Sequence, residues 1–249
     1  MIAWFRIGWR LCAVGIWLLW GAVLAALFVR IDAHHAYTPR QLGLVRWWSG
    51  KLLTMMGVRL SVRGQIQSAP VWVSNHISWL DIVVLMAVAP SRFLSKAEVA
   101  SWPLIGWLAQ RAGTVFIRRG NGETEVVVQQ LKQLITLGDR VLFFPEGTSS
   151  VGEPLRFHAR LFSLPIAMQV DVAPIALVYR DSDVCPREDL GYVGEQTFMQ
   201  GLLHLLAQRD VVAEVNLLPQ LITSELTRNA LSQAAEQAVK SGWHELVAQ

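Results

Sequence analysis

The feature that most limits what this chain can fold into is an uncharged apolar run, LCAVGIWLLWGAVLAALFV, at residues 11–29. At about 1.5 Å of rise per residue, a helix of that length reaches about 28 Å, close to the hydrocarbon thickness of a bilayer. Arg6 and Arg10 precede the run and Arg30 follows it, with Trp4 and Trp9 where an interfacial aromatic belt would stand. A cleaved secretory leader needs a shorter apolar core and a small-x-small site after it. Here Arg30-Ile31-Asp32 follows, so a retained helix is expected. A full span and a dip into one leaflet both fit.

The next stretch, residues 40–60, mixes Leu42, Leu44, Trp47, Trp48, Leu52 and Leu53 with Arg40, Arg46 and Lys51. An amphipathic helix in the headgroup zone has this composition, and so does a core helix of the domain that follows. Charge separates the two parts of the chain. Residues 1–64 carry eight Lys/Arg against one acid, Asp32, a net +7, and the remaining 185 residues carry fourteen bases and eighteen acids, a net −4. Such a basic leading segment calls for an anionic surface. With 53% hydrophobic residues and a mean hydropathy of +0.35, that surface is expected to be lipid and not nucleic acid. Cys12 and Cys185 are far apart and outside any CxxC pattern, so neither a zinc site nor a disulfide framework is expected.

Beyond residue 58 the pattern is that of an α/β domain. Short β-branched or aromatic runs at 60–62, 71–74, 114–117, 140–144, 173–179 and 211–217 read as strands. Helical periodicity occupies 81–89, 123–137, 157–169 and 221–248, the last with Thr223 or Ser224 as its cap. The expected architecture is a mixed, largely parallel sheet flanked by helices. Residues 1–57 are expected to form N-terminal membrane-anchoring helices and residues 58–249 the α/β domain.

Three clusters could carry chemistry. The first is Ser-Asn-His-Ile-Ser-Trp-Leu-Asp, Ser74 to Asp81, at a strand-to-helix junction where ligands of α/β folds bind. On one helix His76 and Asp81 would stand about 140° apart. They meet only if His76 lies in the turn and Asp81 in the first helical turn. Asp81 would then hold one imidazole nitrogen and leave the other to take a proton from a hydroxyl. The same residues also read as a capping box, with Asp81 serving only the helix end. The second cluster is VLFFPEGTSS, in which Glu146, Gly147, Thr148 and Ser149 follow a buried strand; a solvated surface turn is the alternative. The third is a strand ending in Arg118 and Arg119, whose guanidinium groups suit a phosphate or carboxylate, or else a surface ion pair.

Taken in order, these clusters resemble the glycerolipid acyltransferase family, which is typified by lysophosphatidic acid acyltransferase. Its Asn-His-x4-Asp block matches Asn75, His76 and Asp81, and its Lys…Gly…Arg block matches Lys96, Gly106 and Arg119. Phe-Pro-Glu-Gly-Thr-Arg matches Phe144 to Thr148 with Ser149 in place of the Arg, and an apolar block with a proline matches Val172 to Ile175. The resemblance spans roughly residues 55–185. It implies that His76, oriented by Asp81, activates the hydroxyl of a lysolipid for attack on an acyl thioester. Acyl-ACP or acyl-CoA would be the co-substrate, with no bound cofactor and no metal. Lys96, Arg118, Arg119, Glu146, Gly147, Thr148 and Ser149 would bind substrate. The implied acceptor is 1-acylglycerol-3-phosphate, with lyso-ornithine lipid as the alternative because Ser149 lacks the arginine's charge. Implied partners are membrane lipids and, if it is the donor, acyl carrier protein, at the inner (cytoplasmic) membrane with the catalytic domain facing the cytoplasm. Two other classes remain in view. A serine lipid hydrolase would use Ser149 or Ser150, although no Gly-x-Ser-x-Gly elbow is present. A non-catalytic membrane-binding protein would keep the fold alone.

Overall fold

The computed structural model describes residues 2–28, 36–117 and 124–249. Two helices lead the chain, α1 (Ile2–Phe28) and α2 (Pro39–Met56). They are followed by β1 (Val58–Gly64), β2 (Val71–Ser74), α3 (Leu80–Val88), β3 (Arg92–Lys96), α4 (Ile105–Arg111), β4 (Val115–Ile117) and α5 (Thr124–Thr136). The remainder is β5 (Val141–Phe143), α6 (Ser163–Met168), β6 (Val172–Arg180), α7 (Phe198–Ala207), β7 (Val211–Leu217) and α8 (Arg228–Val247).

The strands form one sheet in the order β1-β7-β6-β2-β5-β3-β4. Every pairing is parallel except β6 with β7, so the expected mixed, largely parallel sheet is found. Alternation along each strand splits the core into two layers. On β6, Ala173, Ile175, Leu177 and Tyr179 face the layer under α2, α3 and α7, whereas Val172, Ala176 and Val178 face α5 and α8. Burial on both faces explains why β2 and β6 read as continuous apolar runs.

The structure departs from the sequence reading at four places. Residues 92–96, assigned to no element there, form a strand: Arg92 is fully buried because Asp139 accepts from its guanidinium at 2.6–2.7 Å and the Tyr37 ring lies beneath it at 4.5 Å. Residues 157–169 do not make one long helix; a short 3-10 turn (Ala159–Phe162) leads into the six-residue α6. The last helix starts later than expected, at Arg228, with Thr227 and not Thr223 or Ser224 as its cap. Helices α4 and α7 have no counterpart among the expected elements. Helix α7 does carry a local sign of its start, a capping box in which Thr197 and Gln200 satisfy each other's backbone N–H.

The N-terminal helices share the core of the body. Val14 of α1 and Leu52, Leu53 and Met56 of α2 belong to the same apolar cluster as Trp72, Leu80 and Ile175. Arg6 and Arg10, which precede the apolar run, are docked on protein. Arg6 donates to the Ala207 carbonyl, and Arg10 to those of Leu206 (3.1 Å) and Gln208 (2.6 Å). These carbonyls end α7, where a helix leaves acceptors without an intrahelical partner and favours cations.

Candidate active site

Strands β2 and β5 are parallel neighbours, so the loops that leave Ser74 and Phe143 emerge side by side at one end of the sheet. Each loop carries one sequence cluster. Asn75 fixes the first: its amide donates to the Leu177 carbonyl (2.9 Å) and accepts from the Leu177 N–H (2.8 Å), extending the strand pairing with a side chain. His76 follows in the turn, and Asp81 lies in the first turn of α3.

The two side chains meet. His76 Nδ1 lies 2.7 Å from Asp81 Oδ2. That oxygen also accepts from the backbone N–H of Ile77 (2.7 Å) and Ser78 (2.9 Å), so the helix-end role and the imidazole contact coexist in one carboxylate. Oδ1 accepts from the Tyr179 hydroxyl at 2.7 Å. Four donors thus surround a side chain that is fully buried, as a charge without solvent requires. The His76 ring is 22% exposed and stacks on Phe144, with centroids 4.1 Å apart and planes inclined by 12°. With Nδ1 committed to Asp81, Nε2 is the remaining nitrogen of a ring that lines the cleft.

The second loop locks onto the first. Glu146 is buried; Oε1 accepts from the His76 backbone N–H at 3.1 Å and Oε2 from the Ser150 hydroxyl at 2.8 Å. Ser150 N–H returns a bond to the His76 carbonyl at 2.8 Å. Burial pushes the Glu146 carboxyl up to about 7, against the opposing pull of Ser150 and His76. Gly147 turns the chain at φ +72°, in the left-handed region that suits glycine. Ser149 donates its hydroxyl to the Tyr192 carbonyl, and Thr148 is exposed.

The two loops border a cleft of about 1310 Å³ bounded by α1, α2, α3, the sheet end and the loop before α7. Its wall includes His76, Glu146, Gly147, Thr148, Ser149 and Lys96, so these six expected residues are brought to one cavity. Arg118 and Arg119 lie outside the described residues. Gly106 is required by packing: a Cβ there would sit 2.4 Å from the Ala100 carbonyl oxygen and 2.6 Å from that of Val99.

Sequence comparison places the chain. The family model described as Acyltransferase matches residues 58–178. A lyso-ornithine lipid O-acyltransferase of Pseudomonas aeruginosa is 40% identical over 205 residues, covering 82% of this chain and 79% of that protein. The chain belongs to the acyltransferase family. Another lyso-ornithine lipid O-acyltransferase, from Rhodobacter capsulatus, is 38% identical, covering 76% of this chain and 72% of that protein. A 1-acyl-sn-glycerol-3-phosphate acyltransferase of Neisseria gonorrhoeae is 42% identical over a shorter stretch, 43% of each chain. The fold of this acyltransferase matches the crystal structure of the 1-acyl-sn-glycerophosphate acyltransferase of Thermotoga maritima. The TM-score is 0.65 at 18% identity, with 96% of this chain and 98% of that one covered.

Two contributors to the candidate site escaped sequence reading, and a third, Ser150, was named only as a possible hydrolase nucleophile. Tyr179 lies at the end of β6, ninety-eight positions from Asp81. Tyr192 sits in an irregular loop, and its N–H donates to the Ile77 carbonyl at 2.9 Å. Only Ser150 had a local signal, because a buried glutamate needs donors nearby.

Proposed function

We propose that this acyltransferase moves a fatty acyl group from a thioester to the hydroxyl of a lysolipid, with His76 as general base and Asp81 as its orienting carboxylate. The observation that carries the reading is the 2.7 Å contact between His76 Nδ1 and Asp81 Oδ2 beside an apolar cleft. Asp81 holds the proton on Nδ1, so Nε2 presents a lone pair. It takes the acceptor's hydroxyl proton as the oxygen attacks the thioester carbonyl. When the tetrahedral intermediate collapses, the carbon–sulfur bond breaks and the imidazolium returns the proton to the leaving thiol. Either acyl-ACP or acyl-CoA serves this chemistry. The apolar wall from Leu18 and Leu24 of α1 to Val83 and Met86 of α3 would hold fatty chains.

Lyso-ornithine lipid is the acceptor the residues favour. Ser149 stands where the family motif carries arginine, and its hydroxyl is already committed to Tyr192. The cleft wall offers Lys96 and Arg160 together with Glu98. That mixture suits the carboxylate and ammonium of an amino-acid head group better than a phosphate dianion. The relatives at 40% and 38% identity, which cover 82% and 76% of this chain, carry the lyso-ornithine name.

The enzyme would work at the cytoplasmic face of the inner membrane, held by residues 1–57. Helix α1 is long and apolar enough to cross a bilayer. It is bonded to α7 near its start, however, and its last residue, Phe28, accepts from the Gln41 side chain of α2 at 3.1 Å. Trp9, Ile16, Leu19, Trp20, Val23 and Leu27 remain exposed along it. This arrangement supports a helix lying in the plane of one leaflet, with its free face in lipid.

The test incubates membranes carrying the protein with a labelled palmitoyl thioester, on ACP or CoA, and either lyso-ornithine lipid or lysophosphatidate. Label is expected in ornithine lipid and to vanish with His76→Ala. Near-normal turnover by that variant would remove the proposed base, and label in phosphatidate alone would replace the acceptor.

A further inference from the structure

We infer that Tyr179 is a positioning residue of the acyl-transfer reaction, setting through Asp81 how strongly His76 accepts a proton. This role rests on the acyl-transfer reading of the site. The carboxylate of Asp81 divides its work unevenly. Oδ2 takes His76 Nδ1 and two backbone N–H groups, all within the β2–α3 turn. Oδ1 takes the Tyr179 hydroxyl, a donor from a different strand. Rotation of the carboxylate about its Cβ–Cγ bond is therefore opposed from two sides, one local and one across the sheet.

Tyr179 is well placed to hold that hydroxyl still. The residue is 1% exposed and belongs to the core layer beneath α3. Its carbonyl accepts from the Arg187 N–H at 2.7 Å, fixing the backbone at the strand end. Two residues earlier on β6, Leu177 is clamped by Asn75, the immediate neighbour of His76. Strand β6 thus grips the dyad turn at two points. A phenol next to a carboxylate in a buried site stays protonated and donates, since burial and the Asp81 charge both oppose its ionisation.

The electrostatic consequence has a definite sign. A hydroxyl donated to Oδ1 draws charge from the carboxylate and weakens its hold on an imidazolium at Oδ2. Removing it leaves a more basic carboxylate, so the imidazolium is stabilised and less of the neutral base is present at a given pH. If the carboxylate itself protonates more readily, the neutral dyad is also lost on the acid side. Both routes move the acid limb of the rate profile to higher pH. Among the described residues, the other ionisable groups near the dyad are Glu146 on the β5 loop, and Tyr192, Lys96, Glu98, His158 and Arg160, which line the same cleft as His76.

The experiment measures kcat and KM against pH for Tyr179→Phe, Asp81→Asn and the double variant, using a palmitoyl thioester and lyso-ornithine lipid in mixed micelles. For Tyr179→Phe, a kcat loss of roughly tenfold with little change in either KM is expected. Its acid limb should rise by about half to one pH unit. In the Asp81→Asn background the same change should cost nothing further, because Tyr179 acts through that carboxylate. Replacing Tyr179 with 3,5-difluorotyrosine, a stronger donor of nearly the same shape, should move the limb the other way. That protein alone decides the matter if the Phe variant does not fold. An unmoved acid limb in a folded variant, or additive losses in the double variant, would overturn the role of Tyr179. Were His76→Ala to retain turnover, the acyl-transfer reading itself would fail, an outcome distinct from an inert Tyr179.

Discussion

Arg10 donates to the main-chain carbonyl of Gln208 at 2.6 Å, joining an apolar N-terminal helix to the residue that caps α7. A guanidinium that sequence position assigns to the membrane boundary is instead bonded to protein. Its neighbour Arg6 binds the preceding carbonyl, that of Ala207. The helix is therefore oriented by its own domain, which leaves Ile16, Leu19, Val23 and Leu27 exposed on its free face.

Releasing that clamp should loosen α1 without dismantling the sheet. Arg10→Met keeps the apolar stem and removes the donor. A loss of about 1–2 kcal/mol is expected, given hydrogen bonds from a charged group that are partly exposed. Urea denaturation in detergent and protease sensitivity near the N-terminus will read it; unchanged values for both would mean the clamp contributes nothing.

Asn75 is a motif residue whose principal work is structural. Asn75→Ala leaves the N–H and carbonyl of Leu177 buried and unpaired. That should cost about 2–4 kcal/mol, since each orphaned group carries its own desolvation penalty. Thermal melts will show it as a lower midpoint; a dead enzyme with an unaltered midpoint would instead give Asn75 a direct part in the chemistry.

Glu146 makes stability depend on pH in an unusual direction for a carboxylate. Its folded value of about 7 lies above the ordinary 4.5. Between these values the folded state holds the proton that the unfolded chain releases. The favourable contribution is thus complete below about pH 4.5 and is lost as pH rises through about 7. Glu146→Gln, which cannot ionise, should gain relative to the natural protein by roughly 2 kcal/mol between pH 5 and pH 8. Chemical denaturation at both pH values will test it. A constant difference would show that Glu146 is ionised throughout.

Gly21 of α1 and Trp48 of α2 set the width of the cleft at one wall. A Cβ on Gly21 would lie 2.5–2.6 Å from three atoms of the Trp48 indole, and both residues line the cavity. Gly21→Val should drive the indole from its place and shorten the space for a fatty chain. Turnover is expected to fall about tenfold more for a palmitoyl than for a decanoyl thioester, a discrimination of about 1.4 kcal/mol. Equal losses for both chains would show that the chain does not reach this wall.

Local pattern was enough to determine much of this protein. The apolar strands at 71–74 and 211–217, the uncharged run of the first helix and the two turn clusters are all written in neighbouring residues, whose burial and φ preferences act within a few positions. His76 and Asp81 were legible only in part: their spacing allowed either an imidazole contact or a helix cap, and the family resemblance favoured the contact. Tertiary structure alone decided the rest. Arg92 makes a strand only because Asp139 neutralises it from another loop. Glu146 faces His76 rather than solvent only because β2 and β5 lie side by side. The arginines of α1 meet α7 across 196 to 201 positions. Tyr179 reaches Asp81 from the far end of another strand. In each case a charged or hydroxyl group finds a partner distant in sequence, and the low dielectric of the core makes that partner obligatory while giving no hint of its position along the chain.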